Sequence, residues 1–389
     1  MSLADPPNRL RVLIAAGIPK RREGGAAAIA YNLGNQLENL GHRVSYVFFD
    51  DLMANEPRSR FGDTIFSWRL ANYIRENRSL FDVVNLHAPC GMAYGLLRKW
   101  HRNAGYPPYV MTLHGLEERR VHVMTREHKK GRAWNFGWKN RAWHRLYHFP
   151  RFRWSIRTAD AAHVYSRDVW NWLVLNYDLD DRCVRYIPLG VEERFFRPRD
   201  YGISGVPRLL YAGTWLDQRG IFYLRDALRS LAPRHQFTMT FAGPIIAADE
   251  IFSFFGDDLR PRIQVRDAIR ADLMQELYAE HDIFVFPSLI EGLPNVLQEA
   301  MAGGMPVVTS ETCGMPDVVE NEFNGLLIPP ANAAALEHAI ARLITSAELR
   351  ATLGRTAQTT MRRYTWERAA ILLQDLLIDA VRRCHHSKP

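Results

Sequence analysis

The chain has 389 residues, of which 47% are hydrophobic and 24% are charged. This length exceeds that of one ordinary domain and predicts two domains, each with enough residues for its own core. No run of about eighteen uncharged apolar residues is present, which argues against a membrane-spanning segment. The N-terminal residues lack the charged start, apolar run and cleavage site of a signal peptide, so we expect a cytoplasmic protein.

The four cysteines are far apart and form no Cys-x-x-Cys pair: Cys90, Cys183, Cys313 and Cys384. This spacing argues against both a structural zinc site and a disulfide framework. The histidines form no ligand cluster either, so we expect no metal site.

The net charge of +8 is unevenly distributed along the chain. Residues 1–200 hold 32 Lys and Arg against 20 Asp and Glu, which makes +12, whereas residues 201–389 hold 18 against 22, which makes −4. Such asymmetry predicts that the first half meets an anionic partner.

Strand-like and helix-like segments alternate along the first half of the chain. An alanine-rich helix is expected to begin at Gly24-Gly25 and to end near Gly41. Short apolar runs predict strands at 11–16, 44–49, 82–87, 109–114, 161–165 and 184–190. Strands that alternate with helices indicate a mainly parallel sheet with helices on both faces.

The same pattern restarts after a linker that is rich in Pro, Gly and charge. Strands are predicted at 208–213, 237–241, 283–286, 306–309 and 325–328. We therefore expect an α/β protein with two Rossmann-like, doubly wound domains that face a central cleft. The predicted divisions are a domain at 1–197, a linker at 198–207, a domain at 208–364, and a C-terminal helix at 365–389 that returns to the N-terminal domain.

The stretch EGLPNVLQEAMAGGMPVVTS, residues 291–310, places two acids around a Gly-Leu-Pro turn. Pro294 suits the first turn of a helix that runs to about Ala302. Such a helix would direct free N–H groups and its positive dipole end at an anion, best a phosphate. Glu299 can then accept two hydrogen bonds from a ribose diol. Alternatively, Glu299 is an ordinary exposed helix residue and Glu291 an acid that complements the helix dipole.

A second cluster, Gly213-Thr-Trp-Leu-Asp-Gln-Arg219-Gly220, follows a predicted strand. Arg219 can neutralise a departing diphosphate, a task that a metal ion performs elsewhere. The alternative is a strand-to-helix turn with a surface arginine.

Two histidines, His87 and His114, end predicted strands. Such a side chain can hydrogen-bond a sugar hydroxyl or deliver a proton near neutral pH, or it is simply a satisfied polar residue. The pair Gly24-Gly25 is either a tight turn or a place where backbone amides let a phosphate or sugar approach.

Residues 118–157 contain twelve Lys and Arg against two Glu, interleaved with eight Trp, Tyr and Phe residues. This composition suits an anionic membrane surface or a lipid-linked acceptor. It also suits single-stranded nucleic acid, on whose bases aromatic rings stack. A solvated helix whose aromatic stripe belongs to the core is the third interpretation.

Residues 286–330 resemble the signature region of the group 1, or family 4, retaining glycosyltransferases with a GT-B fold. The hallmark of that family is Glu-x7-Glu followed by an Ala/Gly-rich helix and a Pro-Val-Val strand, and it is present here as Glu291-x7-Glu299. Gly314-Met-Pro-Asp-Val-Val and Asn324-Gly-Leu-Leu extend the match. The likeness covers nearly the whole chain, including Gly24-Gly25, residues 187–191 and Gly213.

The resemblance implies a nucleotide-sugar donor, bound by the C-terminal domain, and an acceptor on the side of the N-terminal domain. It implies that Glu299 holds the ribose and that Glu291 faces the donor sugar near the reacting centre. The stretch that approaches the sugar and phosphates is Gly292, Leu293, Pro294, Asn295 and Val296. The resemblance also favours His114 over His87 as the residue that faces the donor sugar, and membrane or lipid-linked partners over nucleic acid.

The phosphate loop departs from the family pattern Gly-Arg-x4-Lys-Gly. Arg219 stands in the lysine position, but Thr214 stands in the arginine position. One expected phosphate cation is therefore missing, and Arg219 must act alone or be helped from elsewhere.

The leading hypothesis is thus a retaining glycosyltransferase with Glu291, His114 and Arg219 as catalytic residues and with no cofactor or metal. Alternatives are a GT-B nucleotide-sugar epimerase, or a non-catalytic membrane- or nucleic-acid-binding protein with the same fold. A phosphorylase would need a lysine for pyridoxal phosphate, and the second half of the chain has only Lys388.

Overall fold

The computed structural model describes residues 9–20, 25–54, 59, 61–101, 105–134, 136–177, 179–202, 205–267 and 270–386. Its contacts divide the chain into two compact units. The first unit contains Met1–Glu118, Lys139–Gly190 and Trp366–Pro389, and the second contains Arg119–Trp138 and Val191–Thr365.

The first unit is built on a sheet of six parallel strands. The strands are β1 (Arg11–Ala16), β2 (Arg43–Phe48), β3 (Val83–His87), β4 (Tyr109–Leu113), β5 (Ala161–Val164) and β6 (Val184–Tyr186). Their order in the sheet is β2-β1-β3-β4-β5-β6. The helices in this part of the chain are α1 (Gly25–Asn39), α2 (Phe49–Leu52), α3 (Gly62–Glu76), α4 (Met92–Trp100), α5 (Glu117–Lys129), α6 (Trp138–Trp143), α7 (Phe149–Thr158) and α8 (Arg167–Tyr177).

The second unit repeats this architecture. Its strands are β7 (Arg208–Ala212), β8 (Thr238–Ala242), β9 (Ile263–Arg266), β10 (Ile283–Phe286), β11 (Val307–Ser310) and β12 (Leu326–Ile328), in the order β12-β11-β10-β7-β8-β9. The remaining helices are α9 (Ile221–Leu231), α10 (Ala248–Phe255), α11 (Met274–Ala279), α12 (Asn295–Ala302), α13 (Met315–Val318), α14 (Ala333–Thr345), α15 (Ala347–Met361) and α16 (Trp366–His386).

Two parallel sheets confirm the predicted α/β class and the two Rossmann-like units. The central strands β3, β4, β10 and β11 are buried along their whole length, because helices cover both faces of each sheet. Strand β9 was not predicted from the sequence. That strand lies at the sheet edge and exposes Gln264 and Arg266, so its apolar signal is too short to detect.

Helix α16 packs on the first unit, against α1 and against strands β3, β4 and β5. Its apolar stripe is fully buried at Leu373, Leu376 and Leu377. The Oε1 atom of Gln374 lies 2.7 Å from Nε2 of His42, which completes the attachment with a polar contact.

Residues 119–138, which we call the arm, belong to the second unit, although the sequence-based boundary placed them within 1–197. The hydroxyl of Tyr223 on α9 donates a hydrogen bond of 2.6 Å to Glu127. Arg132 forms an ion pair of 2.9 Å with Asp226. The Trp134 ring packs 4.8 Å from the Phe222 ring. These partners lie about a hundred residues further along the chain, so local sequence patterns do not indicate them.

Candidate functional site

Three loops of the second unit meet at the carboxyl edge of its sheet. They follow the neighbouring strands β7, β10 and β11 and comprise residues 213–220, 287–294 and 311–314, and we call them the strand-end loops. The N–H of Leu289 donates a hydrogen bond of 2.8 Å to the carbonyl of Gln218. The N–H of Gly314 donates one of 2.9 Å to the carbonyl of Gly292. The backbone thus ties the loops together and positions their side chains.

Arg219 and Glu291 form an ion pair where the first two strand-end loops meet. Both side chains are mostly buried, with 18% of each exposed. Burial lowers the pKa of Arg219, whose guanidinium also lies 5.1 Å from the centre of the Phe286 ring. Gly220 follows with a left-handed φ of 75°, and a Cβ there would collide with the carbonyl oxygen of Pro287. Only glycine permits this close approach, which brings the two loops together.

The first strand-end loop has no second cation at the position where the family pattern carries one. Gly213 adopts a φ of 137° and donates a hydrogen bond of 2.9 Å to the carbonyl of Ala242. The carbonyl of Thr214 accepts a hydrogen bond of 3.1 Å from the Tyr211 hydroxyl. Thr214 therefore contributes backbone structure, and its short neutral side chain cannot replace an arginine.

A different cation, Arg119 of the arm, lies within electrostatic range of the third strand-end loop. Burial raises the pKa of the Cys313 thiol, whereas a hydrogen bond with Thr312 and the charge of Arg119 lower it. The Cys313 sulfur accepts a hydrogen bond of 3.4 Å from the N–H of Glu291. Sequence reasoning missed Arg119, because nothing in the segment indicates that it packs with the second unit.

Helix α12 begins directly after the Gly-Leu-Pro turn. The helix was expected to include Pro294 in its first turn, but Pro294 precedes it with φ −78° and ψ 122°, and Asn295 is the first helical residue. The Pro294 carbonyl accepts a hydrogen bond of 3.1 Å from the N–H of Leu297. Among the described residues, none bonds the buried Oδ1 of Asn295. The amides of Asn295 and Val296 stand at the helix N-terminus, where an anion is stabilised.

Glu299 is not an ordinary exposed helix residue. The Tyr278 hydroxyl donates a hydrogen bond of 2.8 Å to its Oε2. Burial raises the pKa of Glu299 to about 7, which the hydrogen bond from Tyr278 and the charge of Arg194 partly offset, while Glu192 raises it further. The residue keeps some surface exposure although its carboxylate is enclosed, so a ligand can still reach it.

In the first unit, strand register brings three histidines together. His87 ends β3 opposite Thr112 of β4, and Thr112 in turn lies opposite His163 of β5. His114 follows β4, and its Nε2 lies 2.9 Å from Nδ1 of His87. Both histidines noted from the sequence thus form one pair. Sequence reasoning missed His163, although it too lies in a predicted strand at 161–165.

Burial keeps these histidines neutral. It lowers the pKa of His114 to about 4 and that of His163 to about 3. The pKa of His87 is also lowered well below its ordinary value, by burial and then by His114 and His163. At neutral pH, His114 is therefore suited to hydrogen-bond a hydroxyl and holds no proton to deliver as an imidazolium.

A cavity of about 120 Å³ opens beside the histidine pair, at the carboxyl ends of β1, β3 and β4. Its lining includes Gly17, Ala26, His87, Cys90, His114 and Arg151. Gly25 opens helix α1 with a left-handed φ of 62°, and among the described residues no atom lies within 4 Å of where its Cβ would be. Gly24 lies outside the described residues.

The basic and aromatic segment at 118–157 does not form a single surface. Its first part is the arm, where Trp134 packs against α9 and α10 residues of the second unit. Its later part, from Lys139, belongs to the first unit and includes a π-helical segment at His144–His148. There the rings of Trp143 and Tyr147 stack on each other, and each makes an edge-to-face contact with Phe61.

The described part of the chain contains neither a candidate membrane-spanning helix nor a candidate metal site. None of its helices combines the length and apolar character that a transmembrane span requires. No group of three His, Cys, Asp or Glu side chains there is arranged to hold a metal ion.

Comparison with known proteins assigns the family. The profile of Glycosyltransferase Family 4 matches residues 23–195, and that of Glycosyl transferases group 1 matches residues 206–346. The chain belongs to the group 1, or family 4, glycosyltransferases. Members of this family are retaining glycosyltransferases, and the chain is an enzyme of this class.

Two relatives differ in sequence identity and in how much of each chain the similarity covers. An uncharacterized glycosyltransferase of Methanocaldococcus jannaschii is 24% identical over 362 residues, which are 90% of this chain and 92% of that protein. A D-inositol 3-phosphate glycosyltransferase of Saccharomonospora viridis is 34% identical over 229 residues, or 54% of this chain and 53% of that protein. The match thus spans only about half the length of the second relative.

Solved structures of other proteins share the fold. Sucrose-phosphate synthase from Thermosynechococcus elongatus superimposes with a TM-score of 0.77 at 19% identity, covering 97% of this chain and all of that one. The Anabaena protein HepE, solved in complex with UDP-glucose, superimposes with a TM-score of 0.66 at 16% identity, covering 94% and 98%. At these identities the likeness concerns the fold alone.

Proposed function

We propose that the protein transfers a sugar from a nucleotide-sugar donor to a glycan or lipid-linked glycan acceptor, with retention at the anomeric carbon. The observation that carries this proposal is the Arg219–Glu291 ion pair at the strand-end loops, beside the N-terminus of α12. A buried cation next to free helix amides suits a diphosphate, because both stabilise negative charge. The UDP-glucose complex of HepE, which has the same fold, supports this class of donor.

Each predicted site residue of the second unit has a role in this proposal. Glu299 accepts hydrogen bonds from the ribose diol, and the amides of Asn295 and Val296 bind a phosphate. Gly292, Leu293 and Pro294 line the approach of the sugar, and Gly213 and Thr214 supply backbone to the same loop. Arg219 exchanges its contact with Glu291 for the diphosphate, which frees Glu291 to contact the donor sugar.

Residues of the first unit contribute further contacts. Neutral His114 hydrogen-bonds a hydroxyl of the donor sugar, and the pair Gly24-Gly25 lets the donor approach the backbone at the start of α1. We assign the first unit to the acceptor side and the second unit, which includes the arm, to the donor side.

The chemistry then needs no protein nucleophile. The bond between the anomeric carbon and the phosphate oxygen breaks, and a bond to the acceptor hydroxyl forms on the same face. The departing diphosphate takes the acceptor's proton, and Arg219 together with the α12 amides stabilises its negative charge. No metal or cofactor takes part in the proposed reaction.

The test is a panel of UDP-, GDP- and ADP-sugars offered to the full-length protein. We expect one of them to raise the melting temperature and to be slowly hydrolysed, with release of its nucleotide. Glu299→Ala should weaken nucleotide binding, and Glu348→Gln, at an exposed position of α15, is the matched control. If no donor stabilises the protein or is turned over, the proposal is wrong.

We also propose that the first unit meets an anionic membrane surface that carries the acceptor. Large apolar side chains are exposed around the aromatic cluster of Phe61, Trp143 and Tyr147: Phe61 itself, Ile65, Trp68 and Leu146. Exposed aromatic and basic residues suit the interface of anionic lipid. Flotation with anionic liposomes tests this: charge reversal at Lys139, Arg141 and Arg145, which belong to the first unit, should reduce flotation, and equal flotation after these changes would reject the surface.

A further inference from the structure

We propose that the cavity of the first unit binds an oxyanion, a phosphate or carboxylate group carried by the acceptor, and that Arg151 holds it. The identification of the anion's carrier as the acceptor rests on the proposed function. The anion site itself rests on the cavity and its charged lining.

Arg151 is a buried cation with no adequate partner. It projects from α7, only 4% of its surface is exposed, and it lines the cavity. None of the described residues accepts a hydrogen bond from its Nε, Nη1 or Nη2. Its ion-pair contact is with Asp63, whose Oδ2 lies 4.0 Å from Nη1 and whose side chain is 56% exposed. The guanidinium also lies 4.9 Å from the centre of the Tyr147 ring.

Burying a guanidinium in this way opposes folding. Buried charges are normally paired and hydrogen-bonded, because removal from water is otherwise costly. Asp63 is too distant to bond directly and too exposed to compensate fully. The planar fork of N–H groups on Arg151 matches the oxygens of a carboxylate or phosphate, and such a ligand would supply the missing partners.

The rest of the cavity lining adds no competing charge except Asp63. His87 and His114 are neutral because burial lowers the pKa of each. Burial raises the pKa of Cys90 to about 12, so its thiol is also neutral. Ala26 lies in the first turn of α1, where backbone N–H groups favour an anion.

The volume indicates which part of a ligand enters. The cavity measures about 120 Å³, whereas pockets that hold a whole small molecule measure roughly 300–1,000 Å³. It therefore suits one anionic group with its waters, while the remainder of the ligand stays outside. His114, in the same lining, would then sit beside that group.

The experiment titrates inorganic phosphate, and separately acetate, into the full-length protein at constant ionic strength set with chloride. The readout is the NMR signals of the His87 and His114 ring C–H groups, assigned by single substitution. We expect saturable shifts in the wild type. Arg151→Gln should weaken binding by about tenfold or more, the effect of losing charge-assisted hydrogen bonds. Arg157→Gln, an exposed position on the same helix, should bind as the wild type does.

The outcomes separate the possibilities. Tighter binding of phosphate identifies a phosphorylated acceptor, and tighter binding of acetate identifies a carboxylated one. The proposal is overturned if neither anion shifts the signals at tens of millimolar, a range where weak sites respond, or if Arg151→Gln binds as the wild type does.

The melting temperature of Arg151→Gln is a second readout, because a ligand-binding role and a structural role of Arg151 predict opposite changes in it. Because Arg151 lacks adequate partners, Arg151→Gln should melt at the same or a higher temperature than the unliganded wild type. A large drop in melting temperature, or failure of both Arg151→Gln and Arg151→Lys to fold, would show that Arg151 is structural and would overturn the proposal. Donor hydrolysis by the wild type tests the sugar-transfer proposal separately. If the protein binds phosphate but turns over no donor, the sugar-transfer proposal is wrong and the anion site stands.

Discussion

Glu299 provides the sharpest test, because its carboxylate is linked both to stability and to nucleotide binding. The substitution Glu299→Gln keeps the shape of the side chain and removes its charge. Burial raises the pKa of Glu299 from 4.5 to about 7, so the folded protein holds this proton more tightly than the unfolded chain does. The folded state is therefore destabilised progressively as pH rises from about 4.5 to about 7, and constantly above that range.

The pKa difference sets the size of the effect. A rise from 4.5 to about 7 corresponds to roughly 3 kcal/mol of free energy. At pH 8 the ionised Glu299 lowers the free energy of unfolding by up to that amount, whereas at pH 4.5 it does so very little. For a unit of this size, 3 kcal/mol is a melting-temperature difference of roughly 6–12 °C. Glu299→Gln should therefore gain stability relative to the wild type between pH 5 and pH 8.

The same ionisation governs ribose binding in the proposed site. Between pH 6 and pH 8 the ionised fraction of Glu299 rises from about 10% to about 90%, so nucleotide affinity should rise about ninefold. Glu299→Gln should bind more weakly and lose this rise, while any titration of the nucleotide phosphate stays common to both proteins.

The assays are thermal unfolding from pH 5 to pH 8 and calorimetric binding of the matching nucleotide diphosphate. Glu348→Gln should follow the wild type in both. If the stability difference between Glu299→Gln and the wild type does not change with pH, the carboxylate is not held at a raised pKa. If both proteins show the same pH dependence of affinity, Glu299 does not bind the ribose.

Three further predictions concern the other proposed contacts. Arg219→Ala should slow donor hydrolysis by about a hundredfold, as loss of one charge-stabilising group does, and an unchanged rate would remove Arg219 from the reaction. Because burial lowers the pKa of His114 to about 4, the pH–rate profile should show no His114 limb between pH 5.5 and 8.5; a limb near 6.5 that disappears in His114→Ala would contradict this. The double substitution of Trp68 and Leu146 by serine should reduce flotation with anionic liposomes, whereas Leu175→Ser, at another exposed apolar position, should not; equal flotation of both would reject the surface.

Local patterns along the chain were sufficient to predict the architecture. The apolar run at 283–286 is a strand because four consecutive buried residues suit a parallel sheet that is covered on both faces. The Gly-Leu-Pro turn at 292–294 predicted the start of α12 to within one residue, since turn and cap preferences are local. The edge strand β9 was missed because an exposed edge does not require an apolar run.

Contacts between distant residues were decided only by the tertiary structure. The Arg219–Glu291 pair depends on the backbone approach at Gly220, and the raised pKa of Glu299 depends on its enclosure beside Tyr278. Arg151 is one of many arginines in a basic segment, and nothing in its neighbours along the chain marks it as the one that lines a cavity. Charge, spacing and periodicity are properties of the sequence itself. The burial of a side chain, and the residues that it pairs with, depend on which surfaces the folded chain removes from water.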